Sequence, residues 1–248
     1  MITRSIDCLI ERRLLVSYRI DPERVAAFLP RPFRPQLVSG HAVGGVCLIR
    51  MSSVRPSRLP HAAGLTSENL AHRFAVEWDD AHGSHVGVYV PRRETSSRIA
   101  GAVGHRVFPG AYHVARFQVR ESDASLRVDV RSVDGEVALS AETAPAAAFR
   151  SELFQNLDAA IEFFRLGARG FSPSADHACV DSVSLHAASW AARPVGIARM
   201  RSSLFDDRAK FPDGACTLDS ALLMTNIAAR WTADPGVFIE PARAGAGA

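Results

Sequence analysis

The side chains that could carry chemistry concentrate in the central third of the sequence, between Thr66 and Arg116. Glu68 and Glu94 are the carboxylates that we expect to act as acid or base, because a glutamate in a partly apolar cavity has a raised pKa and exchanges protons near neutrality. His113 is the third candidate for moving protons. The catalytic set predicted from the sequence is therefore Glu68, Glu94 and His113.

Arginines in the same region could bind an anionic substrate. Guanidinium groups clamp carboxylates through two parallel hydrogen bonds, and a short helix expected to begin near Thr95 or Ser96 would present its N-terminus to an anion. This combination predicts a site for a small molecule that bears a carboxylate or a carbonyl group. The predicted substrate-binding residues are Arg73, Arg93, Arg98, His72 and Tyr112.

Tyr112 and His113 are consecutive in a predicted strand, so that they lie on opposite faces and at most one of them faces a given cavity. We expect His113 to point inward, beside Phe117 and Val119. Structural roles compete with all of these assignments. The glutamates could form ion pairs, the arginines could line a solvated rim, and His113 could be a core histidine with a satisfied hydrogen bond.

No motif in the sequence predicts a metal ion or a cofactor. His82 and His85 flank Gly83 in an expected hairpin turn, where we expect them to be solvated. Gly101 and Gly104 lack the strand, glycine loop and helix of a dinucleotide site, and no GxSxG motif is present. The four cysteines form no CxxC pair, which favours reduced thiols in a cytoplasmic protein.

Composition narrows the class of protein and of partner. The 248 residues are 47% hydrophobic and 22% charged, as in ordinary globular proteins. The formal net charge of +3 is small and the basic residues do not cluster, which argues against a nucleic acid partner. No apolar run approaches the ~18 residues that a membrane helix needs, so that no membrane partner is expected. Lys210 is the only lysine, so that imine chemistry is limited to one side chain and the N-terminus.

The elements that would position these residues are mainly strands, in a single predicted domain over residues 1–240 with a disordered tail over 241–248. Apolar residues at helical spacing predict one long helix over Ser151–Leu166, with Gly167 at its end. Asp21-Pro22-Glu23 predicts the start of a short helix. Many strands with few helices indicate a β-rich α+β fold, built as a barrel or a sandwich.

Alternation of apolar and polar residues predicts the strands, and the short turns between them predict antiparallel pairing. Within Val86–Glu94, strict alternation would place Arg92 and Glu94 on the same face as Val88 and Val90. The predicted strands are Leu9–Ile20, Gln36–Ser39, Ala42–Met51, Leu70–Trp78, Val86–Glu94, Tyr112–Arg120, Ser125–Arg131, Glu136–Thr143, Ala178–Leu185 and Arg193–Leu204, with a short last element around Leu222–Trp231.

Several ordered motifs, spread over about residues 7–185, resemble the acetoacetate-decarboxylase-like superfamily. The segments 14–23 and 28–33 look like its N-terminal strand and first helix. The segments 67–73, 88–98 and 106–113 are more similar to its uncharacterised branch, the DUF2071 proteins. The resemblance implies an antiparallel β-barrel or cone around a buried polar cavity, with one long helix and a few short ones, and often a homo-oligomer.

The sequence departs from this family at the residue that defines its chemistry. In the decarboxylase, a proline–lysine–lysine turn supplies the lysine that forms an imine with the substrate. The matching turn here is Pro109-Gly110-Ala111, which carries no amine, and we expect Lys210 to lie at the surface. The resemblance also places Glu68 near a pocket carboxylate, and it places Glu11, Arg12 and Arg13 near an arginine contributed by the first strand. A Schiff-base decarboxylase is therefore not expected.

Three hypotheses follow from the sequence. The leading one is a small-molecule enzyme of the lyase, isomerase, hydratase or cyclase type, which acts on an oxo-acid or polyketide-like substrate by non-covalent acid–base chemistry and without a cofactor. The second is a non-catalytic barrel that binds a small ligand. The third is a structural oligomer whose barrel is filled by side chains. The residues alone do not decide whether the chain is an enzyme.

Overall fold

The structure is a computed structural model that describes residues 5–60, 64–101, 109–174 and 179–238. Most of these residues form strands, which confirms the prediction of a β-rich fold. The strands are β1 (Ser5–Ile20), β2 (Arg34–Pro35), β3 (Leu37–Val38), β4 (His41–Pro56), β5 (Leu65–Asp80), β6 (Gly83–Thr95), β7 (Tyr112–Glu121), β8 (Leu126–Ser132), β9 (Ala138–Ala144), β10 (Arg169–Pro173), β11 (Cys179–Ala187), β12 (Arg193–Pro194), β13 (Gly196–Ser202) and β14 (Cys216–Phe238). The helices are α1 (Pro22–Ala26) and α2 (Leu157–Leu166), and residues 98–101 form a further helical turn.

Seven strands close into a ring. Their order is β6-β10-β11-β14-β1-β4-β5, and β5 pairs with β6 again. The strands β7, β8, β9 and β13 continue the sheet from β6 and form a second layer. Closure removes two free sheet edges and creates an interior that side chains or a ligand must fill.

Alternation along the ring strands separates two hydrophobic clusters. The inner face carries Cys47 and Ile49 of β4, and these pack in one cluster with Phe164 of α2. The outer face carries residues such as Leu48 and Phe74, which pack in another cluster with the apolar residues of β7, β8 and β9. The helix therefore lies against the inner face of the ring, and the second layer covers part of its outer face.

The long helix is shorter than its sequence pattern predicted. Helix α2 begins after Asn156, whose side chain accepts a hydrogen bond from the amide of Ala159 at 2.9 Å. In the segment before it, the side chain of Ser151 accepts hydrogen bonds from the amides of Leu153 and Phe154. The side chain of Asp219 accepts another from the amide of Leu153. These side-chain acceptors replace helical carbonyls, so that residues 151–156 pack their apolar side chains without forming a helix.

Two predictions about the strands were wrong. Pairing is not uniformly antiparallel, because β6 pairs in parallel with β7 and with β10. The short element expected around Leu222–Trp231 is the long strand β14, which pairs with β1 along most of the length of β1. Long-range pairing between the two ends of the chain leaves no mark in the local sequence, which explains the underestimate. Among the described helices, none combines the length and the apolarity that a membrane crossing requires.

Candidate functional site

The ring encloses a cavity of about 140 Å³. Each of the seven ring strands contributes to its wall, which places the cavity inside the ring. Gly167 and Ala168, directly after α2, also contribute. The wall of the cavity is otherwise formed by Ile6, Arg13, Cys47, Ile49, Met51, Asn69, Leu70, Ala71, Arg73, Val88, Val90, Arg93, Glu94, Tyr112, Gly170, Leu185 and Trp231.

Three arginines from three different strands line this cavity. Arg13 of β1 and Arg73 of β5 are each 7% exposed, and Arg93 of β6 is partly buried. Each guanidinium lies over a different aromatic ring: Arg13 over Trp190 at 5.5 Å, Arg73 over Phe164 at 4.7 Å and Arg93 over Tyr112 at 6.0 Å. Cation–π contacts of this kind hold a guanidinium in place while its N–H groups stay free for another partner.

None of the three arginines has a carboxylate partner within the described part of the chain. The Nε and Nη1 atoms of Arg13 are buried without any hydrogen-bond acceptor. Burial, together with the charge of Arg13, lowers the pKa of Arg73 to about 10, so that Arg73 still carries its charge at neutral pH. Buried cations normally occur with a counter-charge. The cavity therefore carries positive charge that no carboxylate of the described residues pairs with.

Two β-bulges bring Arg13 and Arg93 inside the ring. The pairing of β1 with β4 shifts by one residue between Ile10 and Arg12, so that Ile10 and Arg13 both face inward. The pairing of β5 with β6 shifts between the pairs Phe74–Tyr89 and His72–Arg92. This second shift puts Arg93 on the inner face together with Val88 and Val90.

Because of the second bulge, the side chains at the end of β6 lie on the opposite faces from those that strict alternation predicted. Arg92 pairs across the sheet with His72, and Glu94 pairs with Leu70 of the outer cluster. Arg92 and Glu94 therefore lie on the face opposite to Arg93. An inserted residue reverses the in–out pattern of everything after it.

Glu94 borders the cavity and is fully buried, with 0% exposure. Its Oε1 accepts a hydrogen bond from Nε of Arg92 at 2.6 Å, whereas its Oε2 has no hydrogen-bond partner. Burial raises the pKa of Glu94 to about 7, although the adjacent Arg92 opposes the shift. A carboxyl group with this pKa is partly protonated at neutral pH and can either donate or accept a proton.

Glu68, the other predicted carboxylate, lies elsewhere. It accepts hydrogen bonds from Arg12 at 2.8 Å and from Arg50 at 3.0 Å. These three residues pair in register across β1, β4 and β5, and none of them borders the cavity. The structure therefore supports the structural alternative for Glu68, a glutamate in a buried ion-pair network.

His113 does not face inward as predicted. Its side chain is 40% exposed and lies 3.7 Å from Asp134, whereas Tyr112 borders the cavity. The parallel pairing of β7 with β6 explains this outcome, because Tyr112 is in register with Arg93 and His113 with Glu94. Paired residues share a face, so that Tyr112 follows Arg93 inward.

The remaining predicted binding residues are also outside the cavity. His72 is buried on the outer face, where it forms a hydrogen bond with Ser202 at 2.9 Å, and burial lowers its pKa to about 4. Arg98 is exposed. It begins the helical turn at 98–101, which is capped by Ser97 through the amide of Ala100 rather than by Thr95 or Ser96. Of the eight predicted site residues, the cavity brings together Glu94, Arg73, Arg93 and Tyr112.

Three polar residues of the cavity were not in the predicted set. Arg13 was noted beside Arg12 without a choice between them, and only the bulge in β1 decides which one faces inward. Asn69 lies in a segment that resembles the family, and Cys47 stands in an apolar run without any local signal. A polar residue inside an otherwise buried strand was the available signal for Arg13 and Asn69.

The described wall of the cavity carries neither a metal-binding cluster nor a lysine. Over the described ranges, no group of three or more His, Cys, Asp or Glu side chains could hold a metal ion. His85 forms a hydrogen bond with Asp80 at 2.9 Å, and His82 is exposed. The only lysine, Lys210, pairs with Asp207 at 2.8 Å at the surface and does not border the cavity.

Comparison with solved structures shows the same fold in three proteins. An acetoacetate decarboxylase-like enzyme from Sphingomonas wittichii RW1 has a TM-score of 0.62 at 13% identity, and the match covers 97% of this chain and 94% of the chain of that enzyme. An acetoacetate decarboxylase from Legionella pneumophila has a TM-score of 0.59 at 12% identity, with coverage of 95% and 87%. The enduracididine biosynthesis enzyme MppR, complexed with pyruvate, has a TM-score of 0.55 at 10% identity, with coverage of 94% and 89%.

At these identities the likeness concerns the fold, and it confirms the cone of the acetoacetate-decarboxylase-like type that the motifs implied. No curated protein matches the sequence. The model of the DUF2071 family, described as an uncharacterised conserved protein, matches residues 10–217. The chain therefore belongs to the DUF2071 family, and its fold is the one seen in acetoacetate decarboxylase-like enzymes.

Proposed function

We propose that this protein is an enzyme of the lyase or isomerase type that acts on a small oxo-acid by non-covalent acid–base chemistry and without a cofactor. One observation carries the proposal. Three arginines, for which the described residues provide no carboxylate partner, meet one glutamate with a pKa of about 7 at a single cavity inside the ring.

The arginines would hold the substrate and stabilise its reacting form. Arg13 and Arg73 are charged groups in a largely apolar enclosure, where electrostatic interactions are stronger than in water. An oxo-acid has a carboxylate for such groups, and removal of a proton beside its carbonyl gives an enolate whose negative charge they would also stabilise. Arg93, on the strand β6 next to β5, would contact the substrate with Tyr112 beside it.

Glu94 would move the proton. Its unpaired Oε2 atom and its pKa of about 7 fit an acid or base that works near neutral pH. Covalent catalysis through an imine has no side-chain amine at this cavity, because the turn at Pro109 carries none and Lys210 lies outside. The bound pyruvate of MppR, which has the same fold, supports an oxo-acid as the substrate class.

The size of the cavity favours a small acid over a polyketide-like substrate. A volume of 140 Å³ equals the space of roughly five water molecules. Drug-sized ligands occupy sites of about 300–1,000 Å³. The substrate would therefore be an acid of only a few carbons.

A ligand-binding protein without catalytic activity is the second candidate. The full burial of Glu94 and its hydrogen bond to Arg92 favour this reading, because a carboxyl group held in this way could serve as part of the wall. The arginines would then act alone as an anion receptor. Both candidates would bind the small acid, but only the enzyme would convert it.

Proton exchange tests the choice directly. In D₂O, an enzyme of the proposed type should speed the exchange of hydrogens beside the carbonyl of pyruvate, 2-oxobutyrate or levulinate, as measured by NMR. Glu94→Gln should slow this exchange by about 10²-fold or more. Arg98→Gln, which alters an exposed arginine outside the cavity, is the matched control and should leave the rate unchanged.

The results separate the candidates. Exchange that is lost in Glu94→Gln supports the enzyme. Binding of the acids without any exchange would favour the receptor, and exchange that persists in Glu94→Gln would remove Glu94 from the mechanism.

A further inference from the structure

The charges around the cavity do not balance for a ligand with a single negative charge. Arg13, Arg73 and Arg93 line the cavity, and the described residues provide them with no carboxylate within ion-pair distance. Among the described residues of the wall, Glu94 is the only one with an acidic side chain. Whether Glu94 can neutralise the arginines therefore decides how much negative charge a ligand must bring.

Glu94 is already committed to another partner. It accepts a hydrogen bond from Arg92, and Arg92 also donates one to Asp134 at the surface. Among the described residues, its ion pair is with Arg92, and no ion pair joins it to Arg13, Arg73 or Arg93. The positive charges of the three arginines in the cavity are therefore left without an ion-pair partner.

The three guanidinium groups lie at separate parts of the wall. Arg13 of β1 lies over Trp190, Arg73 of β5 over Phe164 and Arg93 of β6 over Tyr112. The Nη1 atom of Arg93 is 3.3 Å from where a Cβ would stand at Gly110. Glycine at this position thus leaves room for the guanidinium.

We infer that the cavity binds a small dicarboxylic acid, with one carboxylate at Arg93 and the other at the remaining arginines of the wall, Arg13 and Arg73. This inference rests on the proposed function, since it assigns the substrate class of the same cavity. A monocarboxylate would leave two cations of the cavity without counter-charge, which is costly in a site with little water. A dicarboxylate reduces the excess to a single charge and contacts arginines at separate parts of the wall. The available 140 Å³ limits such an acid to a short chain of about four or five carbons.

Matched acids test this inference with the complete chain. Binding of succinate and glutarate is measured by isothermal titration calorimetry in chloride-free buffer at low ionic strength, against butyrate and pentanoate of equal carbon number. Inorganic phosphate tests whether an anion that carries its charges on a single centre binds equally well. The dicarboxylates should bind about tenfold more tightly than their monocarboxylate partners or better, because each adds one charge-assisted contact.

Substitutions test whether Arg93 binds the second carboxylate. Arg93→Gln should reduce the affinity for succinate to that for butyrate and change the butyrate affinity little. Arg98→Gln should leave both affinities unchanged, since Arg98 is exposed and outside the cavity. If Arg93→Gln does not fold, as judged by its thermal transition, the comparison of succinate with butyrate on the native chain is sufficient by itself.

Each outcome has one meaning. Tighter binding of the dicarboxylates, lost in Arg93→Gln, supports the inference. Equal binding of succinate and butyrate overturns it and leaves the proposed function intact. Phosphate that binds as tightly as succinate and displaces it also overturns it, because a single centre would then satisfy the site. Failure of every acid to bind overturns the inference and the proposed function together.

Discussion

At the scale of the residue, two opposed effects set the pKa of Glu94. Burial disfavours the charged carboxylate, whereas the hydrogen bond from Arg92 favours it, and the balance lies near pH 7. Glu68 has two arginine partners and stays outside the cavity. The two glutamates therefore differ in environment because of the partners that each carboxylate meets, and only Glu94 borders the cavity.

The pH dependence of proton exchange should report on Glu94. If Glu94 acts as the base, the exchange rate of an oxo-acid should rise between about pH 6 and 8 with its midpoint near pH 7, because the carboxylate form increases over that range. Arg92→Gln should move the midpoint to higher pH, since it removes the charge that favours the carboxylate. A midpoint that is the same in both proteins would show that another group controls the rate.

Glu94 should also make the stability depend on pH. Its pKa in the folded protein is about 7, above the ordinary value of 4.5, so that the folded state binds its proton more tightly than the unfolded state does. The stabilising contribution is therefore complete below pH 4.5 and is lost as the pH rises to about 7. Its size is roughly 3 kcal/mol in the free energy of unfolding.

Urea denaturation measures this contribution. The unfolding free energy of the native chain minus that of Glu94→Gln should decrease from pH 5 to pH 8, because the native chain loses this contribution and the variant does not. A difference that does not change with pH would mean that Glu94 ionises normally in the folded protein.

At the scale of the element, single inserted residues decide which side chains reach the cavity. The bulges in β1 and β6 each reverse the alternation within a strand, and they turn Arg13 and Arg93 inward. Without them, Arg12 and Arg92 would occupy the inner face instead. The parallel pairing of β7 with β6 then carries Tyr112 to the cavity and His113 away from it.

The start of α2 depends on its cap. Asn156 accepts a hydrogen bond from the amide of Ala159 at 2.9 Å, and the helix behind it packs Phe164 against Arg73. Asn156→Ala should lower the free energy of unfolding by about 1 kcal/mol, the usual effect of removing such a cap. Asn156→Asp should preserve the stability.

The adjacent Gln155→Ala is the matched control. Gln155 is exposed just before the cap, and its loss should change the free energy of unfolding by less than about 0.5 kcal/mol. Equal effects of Asn156→Ala and Gln155→Ala, measured by urea denaturation, would show that the cap contributes nothing specific.

At the scale of the whole molecule, the fold of an imine-forming decarboxylase surrounds a cavity that has no lysine. The chain contains one lysine, and the structure places it at the surface beside Asp207. Arginine is not a substitute, because its guanidinium group stays protonated and does not form imines under ordinary conditions. The fold is therefore shared with the acetoacetate decarboxylases, and no side chain at the described wall of this cavity carries an amine that could form an imine.

Borohydride trapping tests this difference. Treatment of the protein with acetoacetate and borohydride should give no covalent adduct on any peptide that contains the Pro109 turn or Lys210, as judged by mass spectrometry. An acetoacetate decarboxylase treated in parallel should be labelled and serves as the positive control. Labelling of this protein within the cavity wall would contradict the non-covalent mechanism.

The sequence by itself determined the β-rich class, most strand positions, the family and the absence of an amine from the decisive turn. These properties are local, because alternation, turn residues and ordered motifs are all contained within short segments. It also placed Glu94, Arg73, Arg93 and Tyr112 in the region of the site.

Only the tertiary structure decided which of these side chains share a space. That choice depends on the two bulges, the parallel pairing of β6 with β7 and the closure of the ring by β14, all of which are set by contacts between distant segments. A shift of one residue changes the face of every side chain that follows it, and alternation within one strand does not record where such a shift occurs. For this reason Arg13 entered the cavity, while Glu68, His72, His113 and Arg98 were left outside it.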